Sequence, residues 1–136
     1  MRIVRPEMSW RVLTPDFPGG SVCLQRLALR CGYRIGELCA ELRCGERYLH
    51  EVFSRDIGLS PKDWMRRERM VVACRMLAGG KRAEEVAACL GFGSKSYFQK
   101  EFLVFYQVPP SQFQRERWGE GTLNIDRPTL NFEVKT

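Results

Sequence analysis

Residues 37–66, ELCAELRCGERYLHEVFSRDIGLSPKDWMR, and residues 85–115, EVAACLGFGSKSYFQKEFLVFYQVPPSQFQR, carry one pattern twice. At an offset of 48, Leu38 matches Val86, Leu42 matches Leu90 and Gly45 matches Gly93. The second copy then gains one residue and the offset becomes 49. Leu49 now matches Phe98, Phe53 matches Phe102, Pro61 matches Pro110, Trp64 matches Phe113 and Arg66 matches Arg115. Two copies are too few for a solenoid, which needs about three or more repeats, so the pattern is a duplicated motif.

Each copy reads as a short helix (35–42 or 83–90), a tight turn holding a glycine, and a second helix (46–56 or 95–106). In the first copy Leu38, Leu42, Leu49, Val52 and Phe53 fall at helical spacing on one face. In the second, Val86, Leu90, Phe98 and Phe102 do the same. Two short helices joined by such a turn form a helix-turn-helix, whose second helix can enter the major groove of a duplex.

The flanking sequence completes an all-α architecture of about seven helices. A linking helix is predicted over 60–79. Ser60 supplies its N-cap, Pro61 its first position and Asp63 a favourable first-turn charge, and Gly79-Gly80 ends it. A rod of about 18 residues is roughly 27 Å long, which suits two second helices held about one duplex turn, roughly 34 Å, apart. SVCLQRLALR (21–30) reads as a first helix, and Pro110 opens a last one ending near Trp118. The expected organisation is an irregular arm over 1–20, subdomain 1 over 21–59, the linking helix, subdomain 2 over 81–118, and a tail over 119–136. In that tail Leu130, Phe132 and Val134 alternate like a short strand, and an exposed apolar strand tends to recruit a second copy, so a homodimer through the tail is entertained.

The chain has 136 residues, 44% hydrophobic and 28% charged, which is a globular composition. No apolar run approaches the roughly 18 residues of a membrane helix. The N-terminus is cut by Glu7, Asp16 and three prolines, unlike an export signal, so a cytoplasmic location is expected. Net charge is +6, and between Lys62 and Arg82 seven cations face two acids. That concentration is the footprint of a phosphate-binding surface. The six cysteines form no CxxC pair, and the single His50 completes no zinc set. His50-Glu51 starts like a HExxH zinc-peptidase string, but Ser54 stands where the second histidine is needed. Cys39 and Cys89 read as small buried hydrophobes, with a redox pair at Cys39 and Cys44 as the sharper alternative. No nucleophile elbow, phosphate loop or paired-carboxylate arrangement is present, so no enzyme, metal or cofactor is expected.

The strings LCAELRCGERYLHEVFSRDIGLSPKDWMRRERM and VAACLGFGSKSYFQKEF, with the later VPPSQFQRER, resemble the DNA-binding domain of the AraC/XylS family of bacterial transcription regulators over about residues 21–118. The most specific part is the Gly91-Phe92 turn followed by Ser96-Tyr97-Phe98 and Phe102, then Pro110, Phe113 and Arg115. The resemblance implies two helix-turn-helix subdomains on a linking helix and sequence-specific binding near promoters, with RNA polymerase as a further partner. Three departures stand out. Leu103-Val104 replace the usual basic residues, Gln107 replaces a glycine before the proline region, and Arg43 stands where the first turn commonly has glycine. Twenty residues before Ser21 are too few for the ligand-sensing domain that many members carry, so none is expected in this chain.

The base-reading candidates sit on the two second helices: Glu46, Arg47, Tyr48, His50 and Glu51 in the first copy, Ser94, Lys95, Ser96, Gln99 and Lys100 in the second. Arg47 suits guanine bidentately, Gln99 suits adenine, and the two glutamates suit cytosine amines. Arg55, Lys62, Arg66, Arg67, Arg69 and Arg115 are candidates for phosphate contacts that fix register without reading sequence. Tyr97, Phe98, Phe102 and Phe113 are expected to pack in the core. The competing expectation is a protein-interaction module on the same scaffold, supported by the apolar run 102–106 and the tail.

Overall fold

The computed structural model describes residues 1–7 and 9–120. Among them lie three short strands and seven α-helices, and the chain divides into two compact units, Met1–Arg66 and Arg67 onward.

The first unit opens with β1 (Arg2–Val4), β2 (Arg11–Leu13) and β3 (Ser21–Cys23), an antiparallel sheet in that order. This overturns the expected irregular arm and qualifies the all-α reading. The register pairs Ile3 with Val12 and Val12 with Val22. One face of the sheet therefore turns Ile3 and Val12 into the core, at 3% and 0% exposure. The opposite face carries Arg2, Arg11 and Leu13. Residues 21–23 also change assignment, from the start of a helix to a strand, and α1 spans only Leu24–Arg30.

Helices α2 (Ile35–Leu42) and α3 (Glu46–Asp56) form the first helix-turn-helix. Leu38, Leu42, Leu49, Val52 and Phe53 are all buried, joined by Leu24 and Leu27 of α1. Helix α4 (Pro61–Ala78) begins in this unit. Ser60 Oγ accepts the Asp63 backbone N–H at 3.1 Å, the N-cap that its sequence promised. Trp64 is 1% exposed and packs edge-on against Phe53 at 5.7 Å between centroids. The unit boundary falls within α4, between Arg66 and Arg67.

In the second unit, the rest of α4 buries Met70, Val71, Cys74 and Leu77. Helices α5 (Ala83–Cys89), α6 (Lys95–Tyr106) and α7 (Pro110–Glu120) follow. Val86, Leu90, Phe98, Phe102 and Phe113 are buried, at the positions that match Leu38, Leu42, Leu49, Phe53 and Trp64 of the first copy. Aromatic contacts run from Phe92 to Phe98 (4.9 Å), Phe98 to Phe102 (5.7 Å) and Phe102 to Phe113 (5.6 Å), within the 4.5–7 Å range of tilted and edge-to-face packing. Tyr97 departs from expectation: it is 47% exposed. Cys89 is also exposed, whereas Cys39 is buried.

Two helix ends account for two of the three family departures. Arg43 caps α2 at φ 54°, ψ 47°, and Gln107 caps α6 at φ 62°, ψ 17°. Both occupy the left-handed conformation that glycine takes without steric cost. The expected glycine positions are thus present in geometry with a different side chain on them. The tail residues Leu130, Phe132 and Val134, and with them the homodimer reading, lie outside the described residues.

Candidate nucleic-acid interface

Because α3 buries Leu49, Val52 and Phe53, its opposite side turns to solvent. Glu46, Arg47, Tyr48, His50 and Glu51 are all exposed there. The first turn projects Glu46, Arg47 and Tyr48 together, and His50 Nδ1 lies 3.4 Å from Ser54 Oγ one turn on. Among the described residues, no group of three or more His, Cys, Asp or Glu side chains is gathered as a metal site would need.

The C-terminal end of α3 is organised differently from the expectation. Arg55 forks onto Asp56, Nε to Oδ1 and Nη2 to Oδ2 at 2.8 Å each, and Nη2 also donates to the Met1 carbonyl at 2.9 Å. Asp56 Oδ2 accepts the Ile3 backbone N–H at 2.8 Å. The Arg55 guanidinium is therefore engaged within the protein, while its side chain stays 55% exposed. Its hydrogen bonds hold the Asp56 carboxyl down at about 2, against opposition from burial and with help from the Ile3 N–H and the charges of Arg55 and Arg2. The signal was not legible from sequence, since Ile3 lies 53 residues from Asp56.

On α6 the buried Phe98, Phe102 and Phe105 leave Ser94, Lys95, Ser96 and Lys100 exposed, with Gln99 half-buried. Ser94 Oγ accepts the Tyr97 backbone N–H at 3.1 Å, so its side chain caps the helix. Lys95 Nζ lies 2.6 Å from Glu84 Oε1 on α5, and Arg82 Nε is 3.4 Å from the other oxygen of that carboxylate. The Lys95 hydrogen bond holds the Glu84 carboxyl below its ordinary range. Glu84 is thus tied to a candidate reading residue, although no spacing rule marked it.

The phosphate candidates separate into two groups. Lys62 and Arg115 are exposed, whereas Arg66 and Arg67 are half-buried. Arg69 is engaged within its own unit: its Nε donates to the Leu90 carbonyl at 3.0 Å and its guanidinium carbon sits 3.8 Å from the Phe92 ring centroid. It satisfies the free carbonyl at the end of α5 and braces the turn before α6.

The redox alternative for Cys39 and Cys44 finds no support in thiol chemistry. Burial, with the nearby Cys44 and Glu46, pushes the Cys39 thiol up to about 11, and burial raises Cys44 as well. The thiolate is the reactive form, and here it is disfavoured.

A helix-turn-helix domain family matches residues 38–116, more than half the chain and spanning both copies of the motif. The chain belongs to the AraC-type helix-turn-helix family. It is similar to the virulence regulon transcriptional activator VirF of Yersinia enterocolitica and to the thermoregulatory protein LcrF of Yersinia pestis. Each is 29% identical over 82 residues, covering 60% of this chain and 30% of the relative. The regulatory protein PocR of Salmonella typhimurium is 29% identical over 84 residues, 61% of this chain and 28% of its own length. The chain therefore spans about 30% of the length of these curated relatives. No solved structure was found to match. The match begins at residue 38, so the three-stranded sheet lies outside the shared AraC-type segment. No helix among the described residues is long and apolar enough to cross a membrane.

Proposed function

We propose that this AraC-type chain is a sequence-specific transcription regulator that binds duplex DNA by inserting α3 and α6 into successive major-groove segments near a promoter. The observation that carries the proposal is the same on both second helices. Each buries its aromatic and aliphatic side within its own unit and turns a polar, cation-bearing side to solvent. Two such faces on one chain suit a two-part operator. The printed names of the relatives, a virulence regulon activator among them, support regulation of transcription. RNA polymerase is the partner that such regulation implies, as activator or repressor.

Within each unit the side chains divide the work. Arg47 reads a guanine edge, Gln99 and Lys100 read the second segment, and Lys62 and Arg115 hold phosphates. Lys95 enters with its charge balanced by Glu84. A second reading, a protein-interaction module, draws on Leu103 and Val104, which are 49% and 44% exposed on α6.

Selection of binding sequences from a random duplex pool, followed by affinities from about 50 to 200 mM salt, tests the proposal. A two-part motif with a steep salt slope supports it. A single short element removes α6 as a reader, and no enrichment with salt-insensitive binding to a protein partner favours the interaction module.

A further inference from the structure

We propose that Arg2, on the first strand of the sheet, is a phosphate-contacting residue of the DNA interface, carried to the reading helix by a strand that the AraC-type segment does not include. The inference rests on the DNA-binding reading above and adds to it a residue outside the family match.

Three observations converge. First, the start of β1 is held on α3 at several points. The Met1 carbonyl accepts from Arg55 Nη2, the Met1 amino nitrogen lies 3.2 Å from Tyr48 Oη, and the Ile3 N–H is bonded to Asp56. Ile3 itself is 3% exposed, so the strand is fixed by packing as well as by hydrogen bonds. Arg2 sits between these two anchored residues.

Second, the strand's alternation turns Arg2 outward when Ile3 turns inward. Arg2 is exposed, and among the described residues its side chain makes no hydrogen bond or ion pair. Its charge is nonetheless felt at Asp56, behind the Arg55 and Ile3 hydrogen bonds, which places it close to the end of α3.

Third, the charges at this end of α3 are redistributed. Arg55 would be the natural cation there, but its guanidinium is spent on Asp56 and on Met1. The pair is neutral. With the Met1 amino group bonded to Tyr48 Oη, Arg2 is the neighbouring side-chain cation, held by the strand near the Asp56 end of α3. A polyanion approaching α3 meets Arg2 rather than Arg55.

The test compares Arg2→Ala, Arg2→Lys and Arg5→Ala in the full chain. Affinity is measured for the selected duplex and for a scrambled one between about 50 and 200 mM salt. Thermal melting is followed alongside. Arg5 is the control, because it removes the same charge from the same segment while its guanidinium lies 5.0 Å from the Trp10 ring centroid, engaged with that ring. Losing one phosphate contact lowers the salt slope by about 0.9, so between these salt concentrations Arg2→Ala loses about 3.5-fold less affinity than wild type. The expected result is that change on both duplexes alike, with melting unchanged, Arg2→Lys keeping the wild-type slope and Arg5→Ala having no effect. An unchanged slope in Arg2→Ala overturns the inference, and so does an equal change in Arg5→Ala, which would show only long-range charge. A loss confined to the selected duplex overturns it too, since that is base reading. Wild-type protein that binds neither duplex removes the DNA-binding reading itself and this inference with it.

Discussion

Lys95 Nζ and Glu84 Oε1 lie 2.6 Å apart, so the first residue of α6 is charge-paired to the first turn of α5. A cation that would meet phosphate or guanine is thereby offset within the protein. Glu84→Gln removes the offset. The expected outcome is tighter binding to selected and scrambled duplexes alike, with a salt slope steeper by up to about one contact. Fluorescence titration at three salt concentrations checks it.

Arg47→Ala on α3 is expected to cost roughly 1–3 kcal/mol of binding and to relax preference at one base pair. Lys62→Ala is expected to weaken all sequences equally. Repeating the random-pool selection with each variant separates the two. Unchanged preference in Arg47→Ala would reverse the assigned orientation of the first reading helix.

Arg43 and Gln107 hold left-handed conformations at the ends of α2 and α6. Replacing each by glycine relieves the clash of Cβ with the carbonyl, less the extra entropy that glycine loses on folding. The expected net gain is roughly 0.5–1 kcal/mol at each site, seen as a higher melting temperature. A drop in either variant would mean that the side chain makes a compensating contact.

Asp56 predicts an acid limb in stability. Its carboxyl is depressed from 3.8 to about 2, so the folded state binds the proton less readily than the unfolded one. Its contribution is full above the ordinary value of 3.8 and is lost as pH falls towards 2. That amounts to at most about 2 kcal/mol; the side chain is 11% exposed, so screening by solvent is limited. Asp56→Asn is expected to flatten the stability profile between about pH 5 and 2 and to leave its shape above pH 6 unchanged. Urea denaturation at stepped pH measures it.

The helical framework was legible because each helix repeats its apolar residues many times. Leu38, Leu42, Leu49 and Phe53 announce one face, and the second copy restates it. The sheet offers no such repetition. Arg2-Ile3-Val4 and Arg11-Val12-Leu13 each send a single side chain into the core, too few for a period of two to emerge, and Pro6, Pro15 and Pro18 interrupt the stretch. The same distinction holds at the interface. Exposure of Arg47 and Lys100 follows from helical phase. The commitments of Arg55, Arg69 and Lys95 depend on partners brought in from residues 1–3, 90–92 and 84, which periodicity does not address.

The bond from Ile3 to Asp56 closes a loop of 53 residues, whereas the link from Gln114 to Leu77 in the second unit spans 37. During synthesis β1 emerges before the rest of its unit, and must wait for nearly all of it before its outer edge finds a partner. Long-range closure slows folding, so the N-terminal unit, although made earlier, is expected to complete its core through the less local route. An unfinished strand edge is a template for pairing with other chains. In this topology Asp56 occupies that edge at the Ile3 N–H, and the arrival of α3 ends the interval in which a nascent chain is most open to aggregation.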